Sequence, residues 1–123
     1  MTIERFDVSE RMCDMTAAGA HVFISGQVPT TLDAAIELQT REVLDKLDAM
    51  LSKAGTSKAN LMTVTVYLTD FRHYDGMNLA WDKWLDRAHP PARDCFKVEM
   101  ANPGWKVEIV ATAIRAQLAA AIN

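Results

Sequence analysis

PPARDCFKVEMANPGWKVEIVATAI, residues 90–114, is the stretch whose reading decides the fold of this chain. It reads as two strands around a turn at Asn102-Pro103-Gly104. On the first strand Phe96, Val98 and Met100 share one side, while Arg93, Cys95 and Lys97 share the other. On the second, Val107, Ile109, Ala111 and Ala113 oppose Glu108, Val110, Thr112 and Ile114. Arg93 and Glu108 thus stand where a buried strand should be apolar. An unpaired buried carboxylate costs on the order of several kcal/mol. Glu108 therefore requires a partner, a raised pKa or access to solvent through a cleft.

Upstream, His89-Pro90-Pro91 stops a helix, because a residue before proline is pushed out of the α region. That helix is expected from about Phe71 to Ala88, capped by Asp70, with Phe71, Tyr74, Met77, Asn78, Trp81, Trp84, Leu85 and Ala88 on one stripe. Asn78 is the odd member: either a satisfied core hydrogen-bonder or a group that orients a ligand. Leu61 to Leu68 alternates as a strand, Met62, Val64, Val66 and Leu68 against Thr63, Thr65 and Tyr67. A longer amphipathic helix is predicted from Thr31 to Ala54, capped by Thr30 or Thr31 and ended by Gly55, with Met50 and Leu51 in the core. His21 to Ser25 is a strand ending at Gly26, where bare backbone suits either a bound carboxylate or an ordinary turn. Ile3 to Asp7 and Cys13 to Ala18 are shorter extended candidates, the second turning at Gly19-Ala20. The final RAQLAAAIN reads as a short helix or a frayed tail.

This order predicts one α+β domain over residues 1–123, a sheet with both long helices on one face. Thr65, Tyr67, Cys95, Val110 and Ile114 are expected on the other, uncovered face, where oligomerisation would bury them. A formal net charge of −3 with scattered basic residues speaks against a nucleic-acid partner. No apolar run is long enough for a membrane span and the start is charged, so a cytoplasmic protein is expected. Cys13 and Cys95 form no CxxC and are expected reduced. His21, His73 and His89 match no zinc spacing, so no metal site is expected.

Taken together, FISGQVP, QTREVLDKLDAML followed by AG, VTVYLTDFRHYDGMN, PPAR with a cysteine two residues on, and VEI resemble the RidA/YjgF family. The ERFDV start, the Asp-Lys-Trp run and NPGWKVEI are most similar to its YoaB-like branch. The resemblance covers nearly the whole chain. It implies a chorismate-mutase-like α+β fold, a barrel-like homotrimer and sites in the clefts between subunits. For the best-known branch it implies hydrolysis of reactive 2-imino and enamine acids to 2-oxo acids and ammonia, with no cofactor.

By position, the resemblance implies that Arg93 grips the substrate carboxylate and Glu108 positions or activates water. It likewise implies that Cys95 lies near the ligand, that Ser25 and Gly26 line the cleft, and that Asn78 is the asparagine of the second helix. Two positions depart from the pattern. Where that branch has an N-terminal tyrosine close to the substrate, counting back from Ser25-Gly26-Gln27 places Met12, and where a second acid often follows the glutamate stands Val110. The pocket is therefore expected to be reshaped.

Bland alternatives remain open at this stage. Arg93 and Glu108 could form a structural ion pair across the sheet. Trp81, Trp84 and Trp105 read as core and rim packing, or as an aromatic wall for a larger ligand. Cys95 suits a strand as a small apolar residue better than it suits a nucleophile. A non-catalytic small-carboxylate-binding or holdase module would use the same cleft. Some members of the family have been called ribonucleases, a role the acidic balance opposes.

Overall fold

The computed structural model describes residues 2–116. Its elements are β1 (Glu4–Phe6), β2 (Met15–Ala18), β3 (His21–Gln27), α1 (Ile36–Ala54), β4 (Leu61–Leu68), α2 (Tyr74–Trp84), β5 (Ala92–Lys97) and β6 (Val107–Ile114). The strands form one mixed six-stranded sheet in the order β1-β2-β3-β6-β4-β5. The predicted α+β class and both long helices are present. Of the expected RAQLAAAIN tail, only Arg115 and Ala116 fall within the described residues.

The final two strands correct the sequence reading, because β5 and β6 are not neighbours. β6 runs antiparallel between β3 and β4, and β5 lies parallel to β4 on that strand's other side. Burial and edge chemistry account for the separation. Val107, Ile109, Ala111 and Ala113 are buried in the centre of the sheet, whereas ARDCFK carries charges that suit an outer edge. The turn at residues 102–104 forms as expected, with Asn102 Oδ1 accepting from Gly104 N at 2.9 Å. Instead of closing a hairpin, it docks on the start of α1. The Gly104 carbonyl accepts from Asp33 N at 3.0 Å and from Gln39 Nε2 at 2.8 Å, and Lys106 N donates to Gln39 Oε1 at 2.8 Å. Gln39 is fully buried. A neutral amide satisfied from both ends is one polar group a core accepts without penalty.

The first helix starts later than its threonines suggest. Thr30 N, Thr31 N and Thr31 Oγ1 all donate to the Glu42 carboxylate, so residues 31–35 fold back on α1 as a loop. Gly55 ends the helix as expected, at φ 83° with its N–H on the Leu51 and Ser52 carbonyls. The second helix stops at Trp84, short of Ala88. Asp86 accepts from Ala88 N at 3.1 Å and meets the His89 ring at 3.1 Å, a side-chain turn that competes with further helix. Asp70 caps a short 3₁₀ turn, Phe71–His73, that leads into α2.

Val22, Ile24, Val64, Val66, Leu68 and the odd-numbered residues of β6 pack with Val43, Leu47 and Leu51 of α1 and with Met77 and Trp81 of α2. Both helices therefore cover one face. The opposite face presents Phe23, Thr65, Tyr67, Phe96, Val110 and Thr112. Cys95 belongs elsewhere: it sits in register with buried Val66 and packs against the core on the helix side. A parallel strand keeps neighbours in register on one face, and that rule overrides the expected outward cysteine. No described helix is long and apolar enough to cross a membrane.

Gln39→Leu, which fills the same space without its polar ends, leaves Lys106 N unpaired. It is expected to cost about 1–3 kcal/mol, read as a lower urea midpoint at unchanged slope. An unchanged midpoint would show that the loop does not depend on this amide.

Candidate functional site

Arg93 extends from β5 over α2, the helix that links β4 to β5. Its Nη1 donates to Asn78 Oδ1 at 2.8 Å, with Met77 Sδ at 3.8 Å, and its Nη2 lies 3.4 Å from Tyr74 Oη. The guanidinium carbon stands 5.1 Å from the Trp81 ring centroid and 6.0 Å from that of Tyr74. Trp81 is 5% exposed and Met77 fully buried, so the cation rests on a rigid, core-anchored platform. Residues 74, 78 and 81 share one helical face by the 3.6 period, which is why one turn of α2 gathers all three around one side chain. Among the described residues no carboxylate pairs with Arg93, and its Nε has no partner. Such a guanidinium has an open edge for an external anion. Cys95, two residues along the same side of β5, has its thiol pushed up by burial, opposed by the nearby Arg93 charge. A neutral thiol of this kind is a poor nucleophile.

Glu108 occupies a different surface. It lies in register with Tyr67 of β4, and Tyr67 with Phe96 of β5, all on the face away from the helices. On its other side the β3–β6 pairing slips. Ile24 partners Ala111 and Gln27 partners Ile109, so β3 carries one extra residue in a bulge at Ser25-Gly26. The bulge is tied down by Ser25, whose N and Oγ both donate to the Asp14 carbonyl at 2.9 Å, and by Gln27 Nε2, which donates to the Ser25 carbonyl at 3.0 Å. Gly26 makes room for the acid. A Cβ there would stand 1.8 Å from Glu108 Oε2 and 3.0 Å from its Cγ, so glycine is required by close approach. Burial alone raises the Glu108 pKa above its usual 4.5. Among the described residues no cation pulls it back.

The six expected site residues therefore fall into two groups. Arg93, Asn78 and Cys95 share the helix side at the β5 edge; Glu108, Ser25 and Gly26 share the opposite face. No ion pair joins Arg93 to Glu108 within the described residues, which removes the structural-pair reading for a single chain. Two cavities among the described residues include neither charge. One, of about 210 Å³, lies between α1 and α2 beside Arg41, Leu44, Ala80 and Trp84; the other, of about 240 Å³, reaches Ser25 from Cys13, Thr16 and Phe23. Trp84 serves packing, its ring tilted against that of Trp81 with centroids 5.5 Å apart and its Nε1 donating to Asp48 at 2.8 Å. Trp81 and Tyr74 are contacts of Arg93 that the motif pattern does not single out. Their spacing of three and four residues from Asn78 was the available signal.

Comparison with known proteins agrees with this geometry. The family profile described as Endoribonuclease L-PSP matches residues 2–115. YoaB, a RutC family protein of Escherichia coli, is 37% identical over 89% of this chain and 95% of its own. TdcF of Escherichia coli, named a candidate reactive intermediate deaminase, is 31% identical over 79% of this chain and 81% of its own. The crystal structure of a YjgF-family protein from Neisseria meningitidis superposes with a TM-score of 0.92 at 34% identity, covering 96% of this chain and 98% of that one. A six-stranded sheet of this order, an arginine braced by the second helix and a glutamate set against a glycine bulge thus belong to a chain of the RidA/YjgF/L-PSP (RutC) family.

Proposed function

We propose that the protein hydrolyses reactive 2-imino and enamine acids to 2-oxo acids and ammonia, in a cleft that Arg93 of one copy and Glu108 of the next build together. The observation that carries this reading is the open edge of Arg93: a fixed guanidinium, braced by Asn78 and Trp81, with no carboxylate partner among the described residues. One small carboxylate fits it bidentately. The name of TdcF supports the reaction class.

This reading calls for a second copy. One chain holds its cation and its acid on opposite faces, so a single small acid meets both only where the uncovered face of one copy approaches the β5 edge of another. Phe23 and Phe96, 52% and 51% exposed on that face, are apolar surface that such contact would bury. The same head-to-tail contact, repeated, closes a ring, and a homotrimer is the assembly proposed.

The chemistry asks little of the protein. Water adds to the electrophilic imine carbon, a proton moves to nitrogen, the C–N bond breaks and ammonia leaves a C=O behind. Arg93 holds the carboxylate so that the imine carbon faces the attacking water. Glu108, made more basic by burial, takes the water's proton and returns it to the departing nitrogen. An endoribonuclease role, which the family description names, fits less well: the chain carries a formal charge of −3, against a polyanionic substrate.

Arg93→Ala is expected to leave the assembly intact by sedimentation while lowering kcat/KM on enzymatically generated imines by on the order of 10²-fold or more. Normal 2-oxo acid release from that variant would overturn the reading. Pyruvate-induced protection from melting without turnover by the wild type would make the site a binding module only.

Glu108→Gln should lower kcat by about 10²–10⁴-fold, the usual contribution of a general base. The same variant has a stability signature. An acid whose folded pKa lies above its unfolded value binds extra protons when folded, so its contribution weakens as pH rises from about 4.5 through the raised folded value. The melting temperature of Glu108→Gln relative to wild type is therefore expected to climb across that window and level off above it. A pH-independent difference would contradict the desolvated carboxyl.

A further inference from the structure

Tyr74 is 40% exposed, the outward member of the group around Arg93. A guanidinium carries only donors, so in the 3.4 Å contact with Arg93 Nη2 the phenol oxygen accepts. Its own O–H proton is then unspent, and a proton next to a donating guanidinium points away from that guanidinium. Around the cation the donors are unevenly used. Nη1 is committed to Asn78 Oδ1 at 2.8 Å, whereas Nε has no partner among the described residues and Nη2 has only the long contact to Tyr74. The vacant edge is therefore the Nε and Nη2 side, and Tyr74 borders it.

We propose that Tyr74 is a further ligand-contacting residue of this site: its hydroxyl donates to the carboxylate seated on the Nε and Nη2 edge of Arg93, and its ring walls one side of that subsite. The proposal rests on the reading of Arg93 as the carboxylate anchor and adds a third donor to it. Three donors on one carboxylate, two from Arg93 and one from Tyr74, leave little freedom for the anion to rotate. That fixes which face of the adjoining imine carbon meets water. Trp81 cannot share the role, since its ring lies under the guanidinium and is almost wholly buried.

The subsite selects by the shape of the carbon next to the carboxylate. A planar carboxylate next to a planar C=N or C=O can lie along the fork and reach the phenol together. An acid whose neighbouring carbon is tetrahedral carries an equally planar carboxylate but holds its other substituents on both sides of that plane, against the Tyr74 ring that walls the subsite. The ligand class is thus 2-oxo, 2-imino and enamine acids, in preference to 2-hydroxy or 2-amino acids.

The test uses the intact assembly with pyruvate and L-lactate as probes, measured by titration calorimetry, alongside imine kinetics. Tyr74→Phe keeps the ring and removes only the hydroxyl. It is expected to weaken pyruvate binding about tenfold, the worth of a hydrogen bond to a charged acceptor, with a smaller change for lactate. KM should rise while kcat changes less, and the melting temperature should stay within a degree or so of wild type, since a half-exposed hydroxyl carries little of the fold. Arg93→Ala is run in parallel. If it abolishes pyruvate binding while Tyr74→Phe binds within twofold of wild type, the Tyr74 assignment is wrong and the anchor stands. If Arg93→Ala binds pyruvate normally, the anchor itself is wrong. A Tyr74→Phe variant that loses kcat and melting temperature together overturns the assignment in favour of a purely structural brace.

Discussion

The period of two in β6 governs the rest of this molecule. Val107, Ile109, Ala111 and Ala113 must face the helices to close the core, and β6 is flanked on both edges, by β3 and β4. Glu108 is then forced to the other face, because a one-residue slip would exchange four buried apolar side chains for Glu108, Val110, Thr112 and Ile114. The acid does not emerge into open water. Tyr67 stands beside it and the bulge of β3 crosses its other flank, which accounts for a carboxyl that is desolvated without being paired. Glycine at position 26 is the local consequence, since any larger residue would occupy the space of the carboxylate.

The same alternation, transmitted through β4, decides the opposite fate of Arg93. It sits in register with Val64, a core residue, so its stem starts on the helix side, and only its place on the edge strand lets the guanidinium escape burial. There α2 receives it. Asn78 satisfies one end, Trp81 supports its face and Tyr74 closes its outer side. Among the described residues this cation is positioned without being neutralised. The fold therefore makes two prepared groups and keeps them apart, one on each side of a single sheet.

Rigidity is distributed to match. Gln39, wholly buried, ties the turn before β6 to the first turns of α1, and Glu42 holds residues 30 and 31 over the same helix. These contacts set where β6 begins and hence where Glu108 falls along it. On the other side, the crossover from β4 through α2 to β5 is short, so the helix that braces Arg93 is also the connection that delivers it.

Much of this was legible in the residues themselves. Alternation along β6 and along β4 from Val64 to Leu68, the helical stripe of α1, the stop at Gly55 and the oddity of a charge or amide at Arg93, Glu108 and Asn78 follow from spacing, turn residues and side-chain type, all of which are local; Met62, expected on the same side as Val64, is instead 47% exposed where the β4–β6 register slips. What only the tertiary structure decided is non-local: that β4 inserts between β5 and β6, that Cys95 turns toward the core, that Glu42 and not a threonine side chain organises the entry to α1, and that Tyr74 and Trp81 surround the arginine. Strand order depends on which edges find partners across the whole sheet, and two strands adjacent in sequence carry no mark of whether a third will come between them. The two charges could be recognised one at a time, but their placement on opposite faces is a property of register, and register exists only once the sheet has formed.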